Sequence, residues 1–334
     1  MGKTVNSAFA AFDEELNLDP AQRKQAQERH NAIREVLDDA GFVATSFLQG
    51  SFSRKTMLKP LKDVDIVIVL KPEHWDELSG PKGPQTAMDW FRTAVAEEWP
   101  DAKFDHGDKP SAKALRVTFA DLDFDIDLVP AFDDADEFVL IGDRDQQCWE
   151  PSNTRRQGRV VSERNQNTGG RFVHQVRELK ALVKANATLE FVKGIVVESL
   201  VFAVIDREMP DKYAVTDVLE HARTAVLYPV LDPAGDDDVT SKWTPAQRQT
   251  AAAVFDSMAA KAREALNLEP SDNDAALDVW HALFGDPFPT PDPRDPEQTL
   301  ADWNSTGGRT STGRPTASTL ALQAINPGRA WAPR

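Results

Sequence analysis

The spacing of hydrophobic and polar positions changes along this chain. Residues 5–40 are expected to be helical. Phe9, Phe12 and Leu16 share one face, and Asp19-Pro20 supplies a cap and first turn for a second, charged helix that Gly41 ends. Phe42–Leu48 reads as a strand, Ser51–Met57 as a turn of helix, Lys59–Lys62 as a loop and Val64–Leu70 as a buried strand. A loop over Gly80–Pro84 precedes an amphipathic helix over Thr86–Glu98. Ala112–Phe119 and Leu122–Val129 read as strands paired about a turn at Ala120-Asp121, with a further strand over Phe138–Ile141.

From Gly169 the pattern becomes helical. Gly170–Asn186 sets Phe172, Val176, Leu179 and Val183 on one face, and Phe191–Asp206 is apolar enough to be central. Val215–Leu227, Pro245–Leu266 and Asn273–Phe284 are further helices. Residues 285–298 are rich in Pro and Asp and 304–318 are of low complexity, so loop or partial disorder is expected there. The fold class is therefore α+β: a mixed-sheet lobe over 1–160, whose N-terminal helices pack on the second lobe, then a helical lobe over 161–334. A hinge is expected between Pro151 and Gly170.

Composition narrows the partners. The chain has 334 residues, 41% of them hydrophobic, enough for one large domain or two lobes with a real core. Its net charge of -16 disfavours a long polynucleotide, which normally demands a basic face, but leaves single nucleotides open. Cys148, the single cysteine, excludes an internal disulfide and a cysteine zinc site and fits a reducing, cytoplasmic setting; with Trp149 it reads as packing. The histidines show no zinc-ligand spacing. The N-terminus lacks the features of a signal peptide, and the longest apolar runs, Ile66–Leu70 and Leu200–Ile205, are too short to span a bilayer, so no membrane partner is expected.

Candidate chemistry gathers around Gln49-Gly50-Ser51 and Asp63-Val64-Asp65. On a strand, positions i and i+2 face the same way, about 6.5–7 Å apart. Asp63 and Asp65 thus present paired carboxylates at the mouth of a buried strand, with Lys59 and Lys62 as the local salt-bridge alternative. Asp121, Asp123, Asp125 and Asp127 alternate on a later strand. Asp127, against Leu128-Val129-Pro130, is the deepest and the preferred third carboxylate, with Asp125 next. Such carboxylates repel unless cations separate them, which suits Mg²⁺, or Mn²⁺ in its place. Two ions there can activate a hydroxyl and hold a leaving pyrophosphate, with Asp127 best placed to act on the attacking hydroxyl. The Gly50-Ser51 turn opens a helix and offers backbone N–H groups and a hydroxyl to phosphate, with Arg54 as a further phosphate contact or loop cap.

Gly50-Ser51-x4-Thr56, Asp63-Val64-Asp65-Ile66 and Asp127-Leu128-Val129-Pro130-Ala131 together resemble the polymerase-β-type nucleotidyltransferases. More narrowly they resemble the oligoadenylate synthase and cyclic GMP–AMP synthase branch, with its bacterial CD-NTases of anti-phage (CBASS) systems. The resemblance covers about residues 42–207. It implies a bilobed polymerase-β-like fold, two Mg²⁺ ions, NTP substrates with ATP foremost, and a cyclic oligonucleotide product read by a downstream effector. It also implies a Lys and a Ser that hold the donor triphosphate, matching Lys180 and Ser199. Independently, Arg155, Arg156, Arg159, Arg164, Arg171, Arg177, Lys180 and Lys184 reverse the sign of the chain locally, and a triphosphate would be steered there. Ser199 could instead bond the preceding turn of its helix. Asn153, Asn165 and Asn167 could read bases or form turns.

Two other functions fit the same residues. One is a nucleotidyltransferase acting on an RNA end, an antibiotic or a protein. The other is a non-catalytic nucleotide-binding regulator or antitoxin. The composition of residues 319–334 suggests a C-terminus accessible to a regulatory or modifying protein.

Overall fold

Thr4 caps α1 (Val5–Leu16) in a reciprocal pair of hydrogen bonds with Ser7, and Asp19 caps α2 (Pro20–Asp39), which carries proline in its first turn. These elements belong to a computed structural model that describes residues 2–105 and 110–292. The chain divides into two compact units, Thr4–Thr290 and Met1–Lys3 with Pro291–Arg334. Everything below concerns the first. The low-complexity stretch 304–318, the tail 319–334 and the Pro/Asp-rich stretch beyond residue 292 lie outside the described residues.

After α2 the chain forms β1 (Val43–Gln49), α3 (Gly50–Ser53), β2 (Asp63–Leu70), α4 (Trp75–Leu78), α5 (Gly83–Glu98), β3 (Lys103–Phe104), β4 (Leu115–Thr118), β5 (Asp125–Asp133), β6 (Val139–Asp143) and β7 (Cys148–Ser152). The strands make one mixed sheet in the order β1-β2-β5-β4-β3, with β6 paired to β5 and β7 to β6. β2 and β5 run parallel at its centre.

Alternation sorts the two faces. Val64, Ile66, Ile68 and Leu70 of β2 and Ile126 and Leu128 of β5 are buried in one core, with Ile33 and Leu37 of α2 and Met88 and Phe91 of α5. Val67 and Val69 pack on the opposite face with Val129 and Ala131. Asp63, Asp65, Asp125 and Asp127 fall in phase with this second set, at the open end of the strands.

The rest is helical: α6 (Thr154–Asn167), α7 (Arg171–Ala185), α8 (Gly194–Val204), α9 (Asp211–Ala225), α10 (Pro245–Leu268) and α11 (Asn273–Phe284). They share a second large core, into which α1 inserts Phe9 and Phe12. Phe9 meets Trp280 edge-on at 5.0 Å and Phe12 lies 4.8 Å from Phe284. Burying each ring is worth roughly 1.5–3 kcal/mol. Only α1 of the two N-terminal helices joins this core. α2 packs on the sheet instead, because its buried stripe of Ala26, Ile33 and Leu37 meets α5 and β1.

Two local stretches bear on the expectations. The stretch from Pro151 to Gly170, where a hinge is expected, consists of the end of β7 followed by α6. That helix buries only Val161, so its sequence lacks an apolar period. It is held by Arg159–Glu163 at i,i+4 and by Arg164, which donates to the carbonyls of Phe202 and Ile205. The β4–β5 connection is also longer than a two-residue turn at Ala120-Asp121. That turn would set Arg116 opposite Asp125, whereas the observed register sets Arg116 opposite Asp127.

Candidate active site

Gly50 leaves β1 with φ +69°, in the left-handed region that favours glycine. A Cβ there would lie 2.2 Å from Asp65 Oδ2, so any side chain would collide with the carboxylate. Gln49 lies beside Asp65 in the β1–β2 ladder. The short helix α3 is pinned by Phe52, which is buried in the sheet core under the guanidinium of Arg23. Ser51 lines the cleft beside Asp63 and Asp65.

The parallel ladder sets Asp63 beside Asp125 and Asp65 beside Asp127. Among the described residues, neither Asp63 nor Asp65 has a hydrogen-bonding or ion-pair partner for its carboxylate. Burial, then Asp63 and Asp127, pushes the Asp65 carboxyl up to about 6. Asp63 is raised by the same causes, burial first and Asp127 next.

Asp127 differs. It is 7% exposed, and both its oxygens accept from Arg116, Nε to Oδ1 and Nη2 to Oδ2, each at 2.9 Å. It is not free, as it stands, to receive a proton from a hydroxyl. Asp125 accepts from the Thr118 hydroxyl at 2.5 Å. Among the described residues no three carboxylate, imidazole or thiolate groups are gathered as a ready-made chelate. The donor set nonetheless fits a divalent cation. Asp63 and Asp65 are hard oxygen ligands with no direct ion pair among the described residues, burial and then the neighbouring carboxylates raise both, and Gly50 leaves their surroundings clear of a side chain.

The cleft holds about 880 Å³ between the sheet and the helices and is lined by Ser51, Arg54, Asp63, Asp65, Lys180, Lys184 and Lys193, among others. Lys180 is not the free phosphate donor expected from its place in the chain. Its ammonium is buried and donates to Thr56 O at 3.1 Å, Thr56 Oγ1 at 3.0 Å and Glu198 Oε2 at 3.1 Å. Those bonds use all of a lysine's N–H donors. Burial lowers its pKa despite the nearby Glu198.

Arg54 is drawn to the same carboxylate, Nε to Glu198 Oε1 at 2.5 Å, and the Thr56 hydroxyl donates to Oε2 at 2.7 Å. Glu198 is fully buried; its pKa is lowered because Lys180 and Arg54 outweigh the burial that would raise it. Ser199 is 3% exposed, has no partner for its hydroxyl among the described residues and does not line the cleft. One residue along a helix turns the side chain about 100°, so Glu198 rather than Ser199 meets Lys180.

The basic run is mostly neutralised in space. Arg155 pairs with Asp133, Arg156 with Asp236, Arg159 with Glu137, Arg171 with Asp211 and Arg177 with Asp13. Lys62, Lys184 and Lys193 are the cleft cations without an ion pair among the described residues. Asn153 does not read a base from the cleft: its side chain is buried and donates to Asp232 and Asp236. The Asn165 side chain accepts from the N–H of Val173.

Arg116 and Glu198 join the site from outside the set of residues the sequence singles out. Arg116 had a signal, since it lies in phase with Asp127 on a neighbouring strand, but the register was off by two. Glu198, in an apolar helix, was a buried charge in need of partners.

A model of the Second Messenger Oligonucleotide or Dinucleotide Synthetase domain matches residues 3–165. A cyclic AMP-AMP-AMP synthase of Acinetobacter sp. is 25% identical over 289 residues, with 78% of each chain covered. A probable cyclic AMP-AMP-GMP nucleotide synthase of Salmonella paratyphi B is 22% identical over 365 residues, spanning 87% of this chain and 93% of its own. Among solved structures, Escherichia coli MS115-1 CdnC, in its complex with HORMA-deltaN, matches with a TM-score of 0.69 at 15% identity, over 85% of this chain and 98% of that one. That likeness is one of fold. No helix among the described residues is long and apolar enough to cross a membrane.

Proposed function

We propose that this chain, which belongs to the bacterial CD-NTase family of nucleotidyltransferases, joins nucleoside triphosphates into a cyclic oligonucleotide and releases pyrophosphate. The observation that carries the reading is the ladder of Asp63 and Asp65 against Asp125 and Asp127, met at its open end by Gly50. Each part has a task. The Gly50-Ser51 turn lets phosphate approach the backbone and offers it the Ser51 hydroxyl. Lys62, Lys184 and Lys193 draw a triphosphate into the cleft. Arg54, Thr56 and Lys180 form the wall against which it lies, with Glu198 buried behind them.

Mg²⁺, or Mn²⁺ in its place, held by Asp63, Asp65 and Asp127 would activate the attacking hydroxyl and neutralise the leaving pyrophosphate. ATP is the expected first substrate, since the two relatives are named for products that contain AMP. We read the sheet and helical cores as a catalytic lobe and a closing lobe, and the product as a messenger to an effector in anti-phage defence. CdnC is seen in a complex with HORMA-deltaN, and we extend a protein partner to this chain on that likeness.

The test is incubation with Mg²⁺ and labelled NTPs, with no other acceptor. A phosphatase-resistant product, lost in Asp63→Asn with Asp65→Asn, is expected. Turnover that persists in the double variant would remove the site, and a strict need for another acceptor would remove the product class.

A further inference from the structure

Arg116 and Asp127 face each other across β4 and β5 and share two hydrogen bonds of 2.9 Å. Strand order gives this pair a direction. β4 lies on the side of β5 away from β2, so the grip draws Asp127 away from its ladder neighbour Asp65. The guanidinium also stands 4.0 Å from Asp125. Arg116 thus pairs directly with the β5 carboxylates, while it reaches the β2 carboxylates Asp63 and Asp65 only through space, with no hydrogen bond or ion pair to either among the described residues.

We propose that Arg116 is the internal counter-cation of this site, holding Asp127 out of the ligand set until a divalent cation displaces it. The inference rests on reading Asp63, Asp65 and Asp127 as metal ligands. A guanidinium that takes both oxygens bidentately leaves neither fully free for an ion that needs close oxygen contacts. Two cations on one carboxylate also repel, so the arginine must leave at least one oxygen. Its surroundings permit this: the Arg116 side chain is 37% exposed and that of Asp127 only 9%, so the cation can swing toward water while the carboxylate stays. An ion bound by Asp63 and Asp65 alone needs no such exchange. An ion that uses Asp127 does, and it binds more weakly for that reason. Arg116 is therefore a positioning residue that acts through Asp127.

The test is direct Mn²⁺ binding to the full chain without nucleotide, followed by loss of the free-ion EPR signal. Arg116→Gln is expected to tighten the weaker Mn²⁺ about tenfold, the scale of one charge-assisted bidentate contact. Arg116→Lys keeps the charge but loses the fork and is expected to tighten it less, though measurably. If Arg116→Gln folds poorly, Arg116→Lys decides alone. Either folded variant binding Mn²⁺ no more tightly than the unaltered chain overturns the proposal, even where binding still depends on Asp63 and Asp65. Binding unaffected by Asp63→Asn with Asp65→Asn would instead remove the underlying site.

Discussion

The β-carbon that Gly50 lacks would lie 2.2 Å from Oδ2 of Asp65. The turn that offers phosphate its backbone and the carboxylate that faces an ion are thus fitted to each other. Gly50→Ala must displace Asp65 or the turn, and it also strains a φ of +69°. Expected are a loss of product formation on the order of 10²-fold and a stability loss of about 1–3 kcal/mol. Gly80→Ala, where nothing lies within 4 Å of the added carbon, should change neither in the same assay and urea melt.

Asp65 should destabilise the metal-free protein at neutral pH. Its carboxyl is raised from 3.8 to about 6 by burial and by Asp63 and Asp127. Between those values the folded state holds a proton that the unfolded state has released, so stability falls as pH rises through the window and stays low above it. In chelator-containing buffer, Asp65→Asn should flatten this slope and add about 3 kcal/mol at pH 7. Denaturant melts from pH 4 to 8 measure it, and an unchanged slope would refute it.

Glu198 joins the loop after α3 to α7 and α8 through Arg54, Thr56 and Lys180. Glu198→Ala strands the buried Lys180 charge and should cost about 3–5 kcal/mol. Combining Lys180→Met with Glu198→Leu should recover much of that loss, because no unpaired charge remains. Additive costs of the single changes would show that the pair is not coupled.

Phosphate binding separates from this wall. Lys184→Ala and Lys193→Ala should raise KM for NTP severalfold, more at low salt, with little change in stability, because both side chains are exposed and unpaired among the described residues. Lys180→Met should chiefly lower stability. A KM effect confined to Lys180 would restore that residue as the phosphate donor.

Glu178 supplies an independent check on the helical core. It is fully buried, neither oxygen has a partner among the described residues, and burial foremost, then Asp211 and Asp13, raises its pKa well above the ordinary value. The folded state therefore keeps its proton at pH values where the unfolded state has lost it, and stability falls by about 1.4 kcal/mol per pH unit until the folded group ionises. Glu178→Gln should stabilise the protein, increasingly so as pH rises, in the same melts.

Local pattern determined a good deal of this protein by itself. The period of apolar residues placed α1, α2, β2, β5 and the helices from α7 onward within a few positions. The i, i+2 spacing of Asp63 and Asp65 fixed their common face, and Gly50-Ser51 marked the turn that closes on them. These are short-range properties of backbone geometry. Only the tertiary structure decided what each charge meets. Asp127 stands beside Asp65 because β2 and β5 run parallel in that register, and it is held by Arg116 because a longer loop shifts β4 by two residues. Lys180 is spent on Thr56 and Glu198, and the basic run is cancelled by acids as distant in the chain as Asp13 and Asp236. A charge takes whichever partner the packed fold brings within reach, and sequence spacing carries no record of that distance.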